Sequence, residues 1–269
     1  MVGNRDEVHS ALTDLYSAGG DLAVAPPELA VYFDDLAIVR AARAYMQREA
    51  HVTTGGHAVV VTAGPPGAGK SSALDSMDLS GYRRIDPDEA KKLLLDEAER
   101  HGVLSYRERL ILPDGDPVSP LELSAQIHPF STAVTDIVRH LALSAGENVV
   151  IEGTLSWEPL TGQYIDELFA ANYEGLDVVD VEAPLDFVVE RARQRWWKGR
   201  RGGGLGGRFV SDDVVKGFYK QSPDESVCAA NARILAERAA DELGRGTLRR
   251  FDVDPVTGAV KQASTTDFG

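Results

Sequence analysis

Apolar positions along this chain repeat at two spacings, and the change from one to the other predicts where helices and strands lie. At 5–18 and 27–50 the spacing is helical; in the second stretch Leu29, Tyr32, Phe33, Leu36, Val39 and Ala42 form one apolar stripe. Breakers from Gly19-Gly20-Asp21 to Pro26-Pro27 separate these two predicted helices. From residue 57 short apolar runs alternate with helical stretches. The runs at 57–62, 81–85, 148–151, 176–181 and 248–253 read as strands. The stretches 87–101, 119–144, 158–171, 185–197, 211–220 and 224–242 read as helices. Pro87 suits a first helical turn, whereas Pro129 predicts a break or restart inside 119–144. Turn chemistry in Pro113-Asp114-Gly115-Asp116-Pro117 marks 102–118 as an excursion. The glycines of 199–208 argue against regular structure, and the polar chain from Thr257 reads as a loose tail.

Buried strands separated by helices predict an α/β fold, a mostly parallel central sheet flanked by helices. An N-terminal helical extension at 1–55 precedes the core domain at 56–255, and 256–269 is a polar tail. The stripe at 29–42 has two readings: packing on the main domain, or covering a site or a partner.

Composition narrows the function. The 269 residues are 43% hydrophobic and 26% charged, ordinary for a folded domain, with a formal charge of −14. That charge repels polyanions and argues against non-specific binding to nucleic acid or to an anionic membrane. The one cysteine, Cys228, rules out an intrachain disulfide, and its neighbours Val227, Ala229 and Ala230 predict a small buried residue on a helix. The first ten residues carry Asp and Glu and no apolar core, unlike a signal peptide, and no apolar run reaches a membrane-spanning length. The expected compartment is the cytoplasm.

The strongest chemical signal is Gly64-Pro65-Pro66-Gly67-Ala68-Gly69-Lys70-Ser71, which fits G-x-x-x-x-G-K-[ST] between a predicted strand and a predicted helix. Small residues let the backbone curl around an anion so that its N–H groups converge on phosphate oxygens. Gly64, Gly67, Ala68, Gly69, Lys70, Ser71 and Ser72 are therefore the expected contacts for ATP, with Lys70 on the outer phosphates and the Ser71 hydroxyl on Mg²⁺. The N-K-x-D segment of a GTPase has no counterpart.

Three further features bear on the reaction. Asp86 and Asp88 follow the second predicted strand; they read either as a catalytic pair or as helix-capping acids. Glu152 ends the third strand in Glu152-Gly153-Thr154, placed for a substrate hydroxyl or a metal-bound water, or simply solvated. Arg191, Arg193, Arg195, Lys198, Arg200, Arg201 and Arg208 crowd into a stretch without an acid. They read as a mobile loop closing over phosphates, as a solvated basic loop, or, with Trp196 and Trp197, as an RNA contact.

In their order these segments resemble the zeta-toxin family, P-loop kinases of bacterial toxin–antitoxin systems, over about 56–220. The resemblance implies transfer of the γ-phosphoryl group of ATP to the 3′-hydroxyl of UDP-N-acetylglucosamine, a growth-inhibiting activity. It implies Asp88 as catalytic base, Lys70 and Ser71 on phosphates and metal, and Asp136, Glu152 and Thr154 on the substrate. It also implies Arg195 and Arg208 as the pair that clamps the ATP phosphates. A separate helical antitoxin is an implied partner, and residues 1–50 are candidates for a packing or self-inhibitory role in cis. Two positions depart from the family pattern: Ser156 stands where an Arg is common, and the expected His-Pro is met only at His128-Pro129. Both lie on the acceptor side. The alternatives are a P-loop kinase for another nucleotide or small molecule, a polynucleotide kinase, and a non-catalytic ATP-dependent switch.

Overall fold

A computed structural model describes residues 3–49, 51–220 and 222–269. In chain order the helices are α1 (Arg5–Tyr16), α2 (Pro27–Tyr32), α3 (Asp35–Met46), α4 (Lys70–Leu74), α5 (Pro87–Arg100), α6 (Ser124–Ser144), α7 (Pro159–Ala170), α8 (Leu185–Arg201), α9 (Asp212–Lys216) and α10 (Val227–Leu243). The strands are β1 (Val59–Ala63), β2 (Arg83–Ile85), β3 (Val149–Ile151), β4 (Leu176–Glu182), β5 (Gly246–Val253) and β6 (Val260–Phe268). The chain divides into two compact units. One comprises Met1–Gln47, Pro87–Ile137 and Ala192–Ser211; the other comprises Arg48–Asp86, Val138–Arg191 and Asp212–Gly269.

The second unit holds the whole sheet, in the order β2-β3-β1-β4-β5-β6. The first five strands are parallel, and β6 runs antiparallel to β5 at the edge. The predicted strands all form: β1 and β3 are β-branched apolar runs buried along their whole length, whereas β2 and β5 carry arginines and are only partly buried. The predicted loose tail is wrong: residues 260–268 are a strand, polar and largely exposed, held by backbone pairing to β5. Cys228 is buried in α10, and burial pushes its thiol up to about 11, so it packs as a small apolar group.

Two acids on β4 are among the charged residues buried in this core. Glu182 accepts hydrogen bonds from Ser226 N and Ser226 Oγ, each 2.7 Å, at the head of α10. Asp180 is 1% exposed and its Oδ1 has no hydrogen-bond partner among the described residues. Burial, then the Glu182 charge, raises the Asp180 carboxyl above the usual aspartate range, against the pull of Arg250 and with Glu225 and Asp252 adding to the rise. The folded protein thus binds this proton more tightly than the unfolded chain. Its stabilising contribution is complete below the ordinary aspartate pKa and is lost as pH rises through the folded value. Asp180→Asn is therefore expected to raise Tm by a few degrees at pH 8, an increment that vanishes as pH falls to about 4. Thermal unfolding across that range checks it.

The first unit corrects the reading of the N-terminus. The expected helix at 27–50 divides into α2 and α3, because Asp34 caps a new helix by accepting from Ala37 N. Its expected last residue, Ala50, lies outside the described residues. The restart shifts the apolar face: Ala37, Ile38, Ala41, Ala42 and Tyr45 are buried, while Leu36 is exposed. Helix α1, begun by a capping box between Asn4 and Glu7, buries Val8 and Leu12. His9 meets the Trp196 and Phe209 rings, and Tyr16 stacks on Phe209. The N-terminal helices therefore share a core with 87–137 and 192–211 and are not an appendage to it. Pro129 neither breaks nor restarts its helix: α6 runs through it unbroken.

Candidate active site

The phosphate loop leaves the C-terminal end of β1, in the middle of the parallel strands of the second unit, where α/β sheets bind ligands. Its turns need glycine. Gly64, Gly67 and Gly69 have φ of 126°, 93° and 101°, and a Cβ at Gly64 would collide with the Val181 carbonyl. The Lys70 ammonium lies across the loop, donating to Gly64 O at 2.7 Å and Pro65 O at 3.1 Å. Ser71 and Ser72 are exposed at the start of α4, while Ala68 is buried behind the loop. Curled backbone, a cation on its rim and open hydroxyls fit a nucleoside triphosphate with a divalent cation.

The segment after β3 is bonded to the end of β1 and to the start of this loop. Gly64 N donates to Thr154 O (3.1 Å), Gly153 N donates to Thr62 Oγ1 (2.9 Å), and Thr62 Oγ1 donates to Gly153 O (3.1 Å). Leu155 follows with φ 54°, a left-handed conformation that is strained for a branched side chain; its carbonyl accepts from Asn231 Nδ2 at 2.8 Å. Thr154 and Ser156 share a hydroxyl–hydroxyl hydrogen bond of 3.1 Å. Glu152 is half-buried and pairs with Arg84 at 2.7 Å. Burial, then the Asp86 charge, raises its carboxyl, and Arg84 and Lys70 counter the rise. Arg84, on β2, was not foreseen; only its place beside a strand end signals it.

In the first unit Asp88 occupies the first turn of α5, paired with Arg208 at 2.5 Å and with Lys91 at 3.2 Å. Burial alone would raise its pKa, but Arg208, Lys91 and Arg195 outweigh it and hold the carboxyl at about 2. Asp88 is thus the meeting point of both predicted clamp arginines, and more than a capping residue. Lys91 was missed, although an i,i+3 partner for a helix-start acid is readable from sequence. Asp136 is half-buried on α6.

The cation-rich stretch is not one loop. Helix α8 runs on to Arg201, so Lys198, Arg200 and Arg201 are helical. Arg200 is buried, bound to Asp114 and Glu122. It is a structural cation and not part of a phosphate-closing loop. The glycines serve packing: a Cβ at Gly207 would collide with the Trp196 carbonyl, and Leu121 N donates to Leu205 O at 2.8 Å. No helix among the described residues is long and apolar enough to cross a membrane.

The zeta toxin family profile matches residues 43–240. No curated protein matches the sequence. Among solved structures, a chain of the AvrRxo1-ORF1:AvrRxo1-ORF2 complex with sulphate ions is similar, with TM-score 0.56 and 18% identity over 86% of this chain. The match spans 65% of that chain's own length. The same complex with ATP gives TM-score 0.56 and 18% identity over 89% of this chain and 68% of that one. A chain from the PezAT chromosomal toxin–antitoxin system of the human pathogen Streptococcus pneumoniae gives TM-score 0.54 and 14% identity, over 88% of this chain and 80% of that one. At these identities the likeness is one of fold.

Proposed function

This chain belongs to the zeta-toxin family, and we propose that it is an ATP-dependent small-molecule kinase whose acceptor is a nucleotide-sugar, the 3′-hydroxyl of UDP-N-acetylglucosamine. One observation carries the reading. The Glu152-Gly153-Thr154 segment expected to hold the acceptor is joined by one hydrogen bond to the loop built for donor phosphates, at Gly64, and by two to Thr62 on β1, the strand that leads into that loop, all within one compact unit. A kinase needs both halves fixed relative to each other, since phosphoryl transfer depends chiefly on positioning and charge stabilisation.

The roles follow from the chemistry of each side chain. Backbone N–H groups of 67–72 and the Lys70 ammonium hold the donor phosphates. Mg²⁺, when bound, offsets phosphate charge, and the Ser71 hydroxyl would be its protein ligand. Asp88 accepts the proton of the attacking hydroxyl; Arg195 and Arg208 stabilise the transferring group. Asp136, Glu152 and Thr154 orient the acceptor, with Glu152 anchored by Arg84. The Thr154–Ser156 hydrogen bond fills the place where the family commonly has Arg, and it favours, as a second reading, another nucleotide-linked acceptor. As a growth-inhibiting toxin the protein would call for an antitoxin partner.

The test is incubation with Mg-ATP and a panel of UDP-sugars and free nucleotides, followed by mass spectrometry. UDP-N-acetylglucosamine is expected to gain one phosphate. Lys70→Ala should lower the rate by at least about 10²-fold and relieve growth arrest in a bacterial host expressing the protein. A product from another acceptor only would replace the nucleotide-sugar; no product from any would sink the kinase reading.

A further inference from the structure

Arg191 lies one helical turn beyond Phe187 on α8, with its guanidinium 5.7 Å from that ring's centroid. Its Nη1 is buried and has no hydrogen-bond partner among the described residues. Other arginines of this protein near a candidate site have a carboxylate: Arg84 has Glu152 and Arg208 has Asp88. A guanidinium N–H buried without an acceptor costs free energy, so a side chain kept there needs a reason.

The surroundings supply one. A Cβ built on Gly69 of the phosphate loop would stand 3.2 Å from Arg191 Nη1 and 3.0 Å from Val260 Cγ2. A Cβ on Gly258 would lie 3.9 Å from the tip of the Phe187 ring. Arg191 is therefore pressed against the loop, with Phe187 and the start of β6 packed around it. A side chain at 69 would crowd the guanidinium, which would have to give by a few tenths of an ångström, and the φ of 101° independently favours glycine there. All these residues belong to the second unit, and 258–260 lie outside the stretch matched by the family profile.

We propose that Arg191 is a donor-nucleotide contact, its Nη1 edge giving a charge-assisted hydrogen bond to a phosphate oxygen held by the loop, and that the hairpin of β5 and β6 fixes it there. The inference rests on the reading of 64–71 as the ATP site. A planar guanidinium suits the task because its N–H groups form a rigid fork that matches phosphate oxygens, whereas an ammonium is a single point donor. The reach of an orphaned donor beside converging backbone N–H groups makes an anion the fitting acceptor.

The experiment measures Mg-ATP affinity by calorimetry for the parent, Lys70→Ala, Arg191→Met and Arg191→Lys, with thermal unfolding of each in the absence of nucleotide. Arg191→Met keeps the length and removes the charge. Its Kd is expected to rise at least about tenfold, while its Tm without nucleotide is no lower than the parent's, since an unpaired buried donor has gone. Arg191→Lys is expected to recover part of the affinity. A purely structural arginine would give the opposite pattern, a lower Tm with unchanged Kd, and that result overturns the proposal. If Arg191→Met fails to fold, the proposal stands or falls on Arg191→Lys, which must still bind more weakly than the parent. Should Lys70→Ala lose binding while both Arg191 variants match the parent, the donor site stands and the role of Arg191 falls. Should the parent itself not bind Mg-ATP, the donor reading fails and takes this inference with it.

Discussion

Asp88→Asn is expected to lower phosphoryl transfer by about 10²–10⁴-fold while leaving Mg-ATP affinity unchanged or tighter. The two parts have one cause. With its pKa held at about 2, the Asp88 carboxylate is ionised at any working pH and so is always able to accept a proton. The same pairing makes it a weak base, because the ions that favour its charge disfavour its protonation. In the proposed role of Arg208, part of its pairing with Asp88 is given up for the transferring group, and Asp88 gains basicity by the same amount. Removing the charge releases Arg208 for its proposed role on the phosphoryl group, which is why affinity should not fall. The acid is also a stability element: a depressed folded pKa stabilises above the unfolded value, and this is lost as pH falls through about 2. Asp88→Asn should therefore lower Tm modestly at pH 7, a gap that closes below about pH 4. Parallel kcat, Kd and Tm measurements test it; near-parent turnover would remove Asp88 as the base.

What could be read from sequence was local. The phosphate loop is spelled within eight residues, because small residues and one lysine suffice to curl backbone around an anion. The central parallel strands β1, β3 and β4 declared themselves as runs rich in β-branched apolar residues. Strand β6 did not: polar and exposed, it pairs through its backbone, and no side-chain period marks it. The divided N-terminal helix was signalled by Asp34 as a cap, but an apolar stripe that continued across it masked the break. The cation cluster misled for a different reason. Seven basic residues close in sequence read as one surface, yet the acids that neutralise Arg200 lie about eighty residues away in the excursion at 102–118 and just beyond it. Which charge is buried with which is a property of tertiary contacts, and pattern cannot reach it.

That buried cluster carries the second large effect. Arg200 donates through Nε and Nη2 to both oxygens of Asp114 (2.6 and 2.8 Å) and through Nη1 to Glu122 (2.7 Å). Trp196 Nε1 and Ser119 N complete the Glu122 carboxylate, each at 2.7 Å. The side chains of Arg200, Asp114 and Glu122 are 2%, 6% and 0% exposed, so water cannot replace a lost partner. Arg200→Met leaves two carboxylates in a dry site and is expected to cost about 3–5 kcal/mol, a fall in Tm on the order of 10 °C. Arg200→Lys should recover little, because one ammonium cannot reproduce a fork that spans two acids. The pH dependence separates this account from simple loss of packing. Burial already raises the Glu122 carboxyl, with Arg200 the main opposing charge. Without Arg200 it rises further, and a raised folded pKa stabilises below the unfolded value and is lost as pH increases. The deficit of Arg200→Met should thus be largest at pH 8 and shrink toward pH 5; a deficit constant across that range would mean that the guanidinium stabilises only by filling space.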